Sequence, residues 1–152
     1  MKICCFAGHN EVYDDKIKEK LHKQIINLIE TQNVKTFWVG NYGKFDIVSA
    51  NAVRDIQKIY TDVKLELIIP YLTREINEYK EIYYKNYNNI LIADIPVNTP
   101  KRLQIIKTNQ YMIDNCDYLI CYLQHSWGGA FKTVEYAKAQ PHIKIFNLCA
   151  TF

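Results

Sequence analysis

Glycine placement sets out the first chemistry. The chain holds only five glycines, Gly8, Gly40, Gly43, Gly128 and Gly129. Each falls just after an apolar run or at the mouth of the helix-patterned stretch that follows it. Glycine at such a turn lets backbone N–H groups approach an anion, and a helix N-terminus adds favourable partial charge. Three loops are built this way: Gly8-His9-Asn10, Gly40-Asn41-Tyr42-Gly43 and Trp127-Gly128-Gly129. Together they suit a phosphate-bearing ligand. Taken singly, each also fits an ordinary strand-to-helix turn. Neither GxGxxG spacing nor a Gly-rich turn followed by GK[ST] is present, so the dinucleotide-dehydrogenase and P-loop readings lose their main support.

Polar and aromatic residues close to these loops define the rest of the candidate site. Asp46 falls in the first turn of a helix, where it could touch a ribose or a water, or simply complement the helix dipole. Lys132 could supply a point charge to phosphate, or stand free on the surface. Glu135 lies about two turns into its helix. There it could hold ribose hydroxyls or stabilise an oxocarbenium-like centre, or pair with Lys132 or Lys138 in solvent. Tyr42 and Trp127 flank the glycines, and either could stack on a ring. His9 could hydrogen-bond a phosphate or base. His9 and His125 with Asp46 do not make a metal pattern by spacing, so no metal and no cofactor is expected. His22 and His142 read as surface residues.

These loops need a scaffold that brings strand ends together. Six short apolar runs are bounded by turn residues: Lys2–Ala7, Thr36–Val39, Leu65–Ile69, Asn89–Ala93, Tyr118–Leu123 and Ile143–Leu148. Between them lie stretches of helical period. Ile17, Leu21, Ile25, Leu28 and Ile29 share one face, and Phe45, Val48, Ala52, Ile56 and Ile59 share another. A third stretch, 73–86, carries the stripe Ile76, Tyr79 and Tyr83, and its tyrosines could be core or a dimer face. A fourth runs from Pro100, a good first-turn proline, to Asn115. A fifth begins near Ala130 and ends before Pro141. The segments ICCFA, LELII, ILIA and YLICYL are continuous apolar runs, so they are expected to be buried on both faces. The expectation is an α/β fold, a Rossmann-like doubly wound, mainly parallel sheet of about six strands with helices on both faces. One domain, 1–152, accounts for the whole chain, whose longest Pro-rich loop is Asp94–Lys101.

Composition is that of an ordinary soluble protein: 152 residues, 49% apolar and 23% charged. Disordered, collagenous and disulfide-scaffold classes are thereby excluded. No apolar run approaches the roughly 18 residues of a membrane span, and no leader pattern opens the chain, so a cytoplasmic protein without a membrane partner is expected. Nineteen Lys and Arg against sixteen Asp and Glu make too weak a charge to favour nucleic acid. The five cysteines, Cys4, Cys5, Cys116, Cys121 and Cys149, show no CxxC spacing and are expected to be buried and reduced.

Four segments carry a family resemblance. Cys5-Phe6-Ala7-Gly8-His9 resembles a strand-one "FTGHR", and Gly40-Asn41-Tyr42-Gly43-Lys44-Phe45-Asp46 resembles "GGALGFD". Lys107-Thr108-Asn109-Gln110-Tyr111-Met112-Ile113-Asp114-Asn115 resembles "KRNRYMVDN". The stretch from Trp127 to Lys138 resembles "GGTAYTVNYAK" and, at the same spacing, "PGGxGTxxE". These are motifs of the SLOG superfamily, the Rossmann-like group that includes the LOG phosphoribohydrolases and the DNA-processing protein A domain. The chain looks most like its small bacterial YpsA-like members. The resemblance implies binding of a nucleotide or ADP-ribose-like small molecule, with Asn109 near the ligand and a homodimer or larger homo-oligomer as the assembly. A LOG-like N-glycosidase with Glu135 as its catalytic carboxylate is the alternative, and single-stranded DNA binding a weaker one. The departures are specific. Thr108 and Asn10 stand where the group carries arginines, and Lys132 stands where LOG proteins carry threonine. Two guanidinium groups expected to grip phosphate are therefore missing from their usual places.

Overall fold

The computed structural model describes residues 1–9 and 12–149. Asn10, one of the expected ligand contacts, lies outside the described residues. Strands β1 (Ile3–Gly8), β2 (Thr36–Val39), β3 (Lys64–Ile69), β4 (Asn89–Ile92), β5 (Tyr118–Tyr122) and β6 (Lys144–Asn147) form one sheet in the order β4-β3-β2-β1-β5-β6. Every pairing is parallel, with Cys5 opposite Trp38 on one side and Leu119 on the other. The helices are α1 (Ile17–Gln32), α2 (Lys44–Gln57), α3 (Arg74–Glu78), α4 (Lys80–Asn86), α5 (Lys101–Asn115) and α6 (Gly128–Lys138). The expected Rossmann-like α/β architecture is thus present.

Two apolar layers hold it together. One face of the sheet buries Leu21, Ile25, Leu28 and Ile29 of α1, and Phe45, Ala52, Val53 and Ile56 of α2, against Phe6, Phe37 and Leu65. The other buries Met112 and Ile113 of α5, and Val134 and Ala137 of α6, against Cys5, Ile68 and Leu119. Each large aliphatic side chain removed from water contributes about 1.5–3 kcal/mol, so the period of the stripes decides which face of each helix packs. Asn33 then ends α1 in the left-handed conformation (φ 57°), its N–H bonded to the Leu28 carbonyl. Asn tolerates that conformation better than other non-glycine residues. All five cysteines are buried thiols.

Four expectations need correction. The 73–86 stretch is two short helices, broken at Tyr79 (φ −107°, ψ 31°), which serves as the end of α3 and the start of α4. Its tyrosines divide: Tyr83 and Tyr87 pack on the core, while Tyr79 and Tyr84 are exposed. The ILIA run is not buried on both faces. It belongs to edge strand β4, which has a neighbour on one side only, and Ile92 stays about half exposed. Pro100 is the N-cap of α5 (φ −54°, ψ 140°) rather than a first-turn residue, and α6 starts two residues before the expected Ala130.

The order of the sheet positions the site. Chain direction reverses across β1: β2, β3 and β4 follow on one side, β5 and β6 on the other. The strand ends of β1 and β5 therefore diverge into connections that leave in opposite directions, and a crevice opens between them.

Candidate functional site at the strand switch

A cavity of about 250 Å3 occupies that crevice. Its walls come from the end of β1 (Phe6, Ala7, Gly8), the start of α2 (Tyr42, Gly43, Phe45, Asp46), one face of α5, and the start of α6 (Gly129, Ala130, Lys132). The α5 face consists of Arg102, Ile105, Ile106 and Asn109, residues at i, i+3, i+4 and i+7. Ligand sites are usually roughly 300–1,000 Å3, so the space encloses part of a nucleotide-sized molecule and leaves the rest at the mouth.

The two helix starts that meet here differ in one respect. At α2, Asp46 turns back into its own first turn. Its Oδ2 accepts the Tyr42 N–H at 3.0 Å, and the Gly43 N–H also bonds the carboxylate. A Cβ on Gly40 would come within 3.2 Å of the same oxygen, so the loop is closed tightly over this internal anion. Burial pushes the Asp46 carboxyl up to about 6, against the two N–H bonds that favour its charge. At α6 no side chain caps the helix and its first turn has no acidic residue. Gly128 sits at φ +91°, a conformation that favours glycine, and a Cβ on Gly129 would meet nothing within 4 Å. The start of α6 thus opens onto the cavity through Gly129 and Ala130, beside Lys132. Asn109 Nδ2 donates to Thr133 Oγ1 at 3.2 Å, and that hydroxyl donates to the Gly129 carbonyl at 3.0 Å, which ties α5 to the turn.

Gly8 has a packing reason. A Cβ there would overlap the ring of Phe45, so the glycine admits α2 against the end of β1. Tyr42 lines the cavity, with its hydroxyl 3.5 Å from Thr108 Oγ1. Thr108 is fully buried and donates to the Gln104 carbonyl at 2.7 Å. The Thr108 side chain is therefore inside the helix packing. Asn41 is exposed and is not part of the cavity wall.

Trp127 lies outside the cavity as well, in a stack of three rings. The His9 and His125 centroids are 3.6 Å apart at 16°, and those of His125 and Trp127 are 3.7 Å apart at 18°. His9 Nε2 accepts the Gln124 N–H at 2.8 Å, which bridges the ends of β1 and β5 and places the ring proton on Nδ1. Burial, and then the neighbouring His125, lower the His9 pKa and favour this neutral form. His9 is buried, whereas the outer face of Trp127 is open to solvent. No group of three His, Cys, Asp or Glu side chains among the described residues could hold a metal ion.

Glu135 is not brought to the cavity. It stands on the solvent side of α6, 3.2 Å from Lys138 Nζ. Of the expected contacts, the structure gathers Gly8, Tyr42, Gly43, Asp46, Asn109, Gly129 and Lys132 around one space. Among the wall residues that sequence reasoning passed over, Arg102, Ile105 and Ile106 share the α5 face. Their signal was the i, i+3, i+4, i+7 spacing with Asn109.

An all-parallel sheet with a cavity at its switch point, walled by two helix starts, defines a Rossmann-like α/β domain. The family model described as the YspA SLOG family, YpsA, matches residues 1–144, and the chain belongs to that family. Among solved structures, the chain is similar to DNA processing protein A (DprA) from Streptococcus pneumoniae, with a TM-score of 0.68 and 15% identity. That likeness covers 96% of this chain and 50% of the other, so it shows the fold, and the chain spans half the length of that protein. No curated protein matches. Among the described residues, no helix is long and apolar enough to cross a membrane.

Proposed function

We propose that the domain binds a phosphate-bearing, nucleotide-derived small molecule without turning it over. The observation that carries this reading is the open start of α6. Its first turn is uncapped, Gly128 holds the left-handed conformation, and the unobstructed Gly129 lines a cavity that also presents Asn109 and Lys132. Such a terminus is a ready anion site. The apolar wall of Phe6, Ile105 and Ile106 suits the flat part of the ligand, with Tyr42 against it. A ligand-holding rather than hydrolytic role is supported by Glu135, which is engaged with Lys138 away from the cavity. Of the two aromatic residues beside the glycines, Tyr42 has the better position to meet the ligand. The working assembly proposed with it is a homo-oligomer.

The test is Gly129→Asp, read by calorimetry with AMP, ADP and ADP-ribose. An aspartate there has room, since nothing lies within 4 Å of the added Cβ. It also suits a helix N-terminus by about 0.3–1 kcal/mol. The variant should keep or gain stability while losing at least tenfold in nucleotide affinity, because its carboxylate takes the phosphate's place. Unchanged affinity, or no binding to the parent protein, would overturn the reading. Chromatography of the incubated ligand should show no released base.

A further inference from the structure

We infer that Arg102 is the guanidinium that grips the outer phosphate of the ligand, so that the site selects a diphosphate over a monophosphate. The inference rests on the nucleotide reading above and names its charge and its second anion contact.

Three observations lead to it. First, Arg102 and Lys132 both line the cavity, and neither has a carboxylate partner among the described residues. Among the described residues the only acidic one on the wall is Asp46, whose carboxylate is already bonded to the backbone N–H groups of Tyr42 and Gly43. Second, Lys101 and Arg102 occupy the first turn of α5, which has neither an acidic residue nor a side-chain cap. Cations at a helix N-terminus oppose its dipole, so this placement is locally unfavourable. A local conflict of this kind is what a binding function leaves behind when the missing counter-charge arrives with the ligand. Third, the other α5 residues on the cavity wall, Ile105, Ile106 and Asn109, carry no charge. A guanidinium therefore reaches the cavity from Arg102, on the face that also carries Ile105, Ile106 and Asn109.

The geometry separates two anion contacts. Asn109 is bonded to Thr133, the neighbour of Lys132, so these residues lie at one depth. Arg102 is seven residues earlier on α5, about 10 Å along the helix axis from Asn109 at 1.5 Å per residue. One phosphate sits at the open start of α6 with Lys132 and Asn109. The next is met by Arg102, whose planar fork can hold two phosphate oxygens at once. A monophosphate leaves one of the two cations unpaired.

The experiment compares AMP, ADP, ADP-ribose and inorganic pyrophosphate by calorimetry on the parent protein and on Arg102→Gln and Arg102→Lys. The parent should bind ADP at least tenfold more tightly than AMP. Arg102→Gln should remove most of that preference by weakening ADP at least tenfold more than AMP, and Arg102→Lys should restore part of it. If ADP-ribose follows ADP, the recognised group is the diphosphate link. If only ADP and pyrophosphate respond, it is a terminal diphosphate, and both results support the inference. An ADP-to-AMP ratio that Arg102→Gln leaves unchanged overturns it and leaves nucleotide binding standing. Pyrophosphate binding that depends on Arg102, without binding of any nucleotide, supports the paired anion contacts and overturns the nucleotide reading. No binding of any of the four overturns both.

Discussion

The turn from β2 into α2 and the turn from β5 into α6 start from similar ingredients. Both bring a pair of glycines and an aromatic residue to the same edge of one sheet, and both end in a helix start with extended N-cap backbone. They differ in what meets the exposed N–H groups. The first turn supplies its own anion, Asp46, and closes over it. The second supplies none and keeps Gly129 clear. A helix N-terminus is thus a site only when the chain leaves it unfilled, and glycine content alone does not distinguish the two cases. The filled turn stiffens the wall against which the unfilled one can work.

Four measurements would break or sharpen this contrast. The largest effect is expected at the filled turn. Asp46 has its carboxyl raised from the ordinary 3.8 to about 6 in the folded protein. The unfolded chain therefore loses this proton first. Stability is fully present below about pH 4 and falls as pH rises through about 6, by roughly 3 kcal/mol in all. Urea unfolding from pH 4 to 7.5 should show that fall in the parent and its loss in Asp46→Asn. A parallel pH dependence in the two proteins would mean that Asp46 is not held as described.

Next comes Gly8→Ala, which sets a methyl group into the Phe45 ring. Overpacking of this kind costs about 1–3 kcal/mol, a fall in melting temperature of several degrees. A smaller effect is expected at the unfilled turn, where Gly128→Ala must hold alanine at φ +91° and should cost about 1–2 kcal/mol. Gly129→Ala, one residue on, should fall within about 0.5 kcal/mol of the parent. Equal costs at the two positions would remove the conformational argument. The smallest effect belongs to Glu135→Ala. Its exposed pair with Lys138 contributes little, so the change should stay below about 1 kcal/mol and leave ligand affinity unaltered. A tenfold loss of affinity would return Glu135 to the site.

Much of the fold was legible because period and burial agree. The α1 stripe of Leu21, Ile25, Leu28 and Ile29 faces the core as its spacing requires, and β2 begins and ends where its apolar run does. The edge position of β4 was not legible. Which strand is outermost depends on how the crossovers order the sheet, and an apolar run such as Asn89–Ala93 reads alike in the middle and at the edge. The break at Tyr79 was hidden because a tyrosine stripe continues through it. At the site, glycine placement located the two turns, but it could not show that Asp46 occupies one of them. Helix geometry bears on Glu135. Six residues at 100° each carry it about 240° round α6 from Gly129, away from the cavity, whereas Lys132 lies about 60° away. Arg102 was missed because family arginines were sought at Thr108 and Asn10, while the cavity is served from the first turn of the same helix.

The stack of His9, His125 and Trp127 also gives the protein a built-in optical gauge. There are two tryptophans. Trp38 is buried, with its indole N–H donated to Glu66 at 2.9 Å, and it should emit toward the blue. Trp127 lies against an imidazole with its outer face in water and should emit toward the red, partly quenched. Because its backbone is the N-cap of α6, any rearrangement of that turn changes the overlap of the rings and hence the red part of the spectrum. The intrinsic fluorescence can therefore follow the turn without an attached dye, while Trp38 serves as the internal standard.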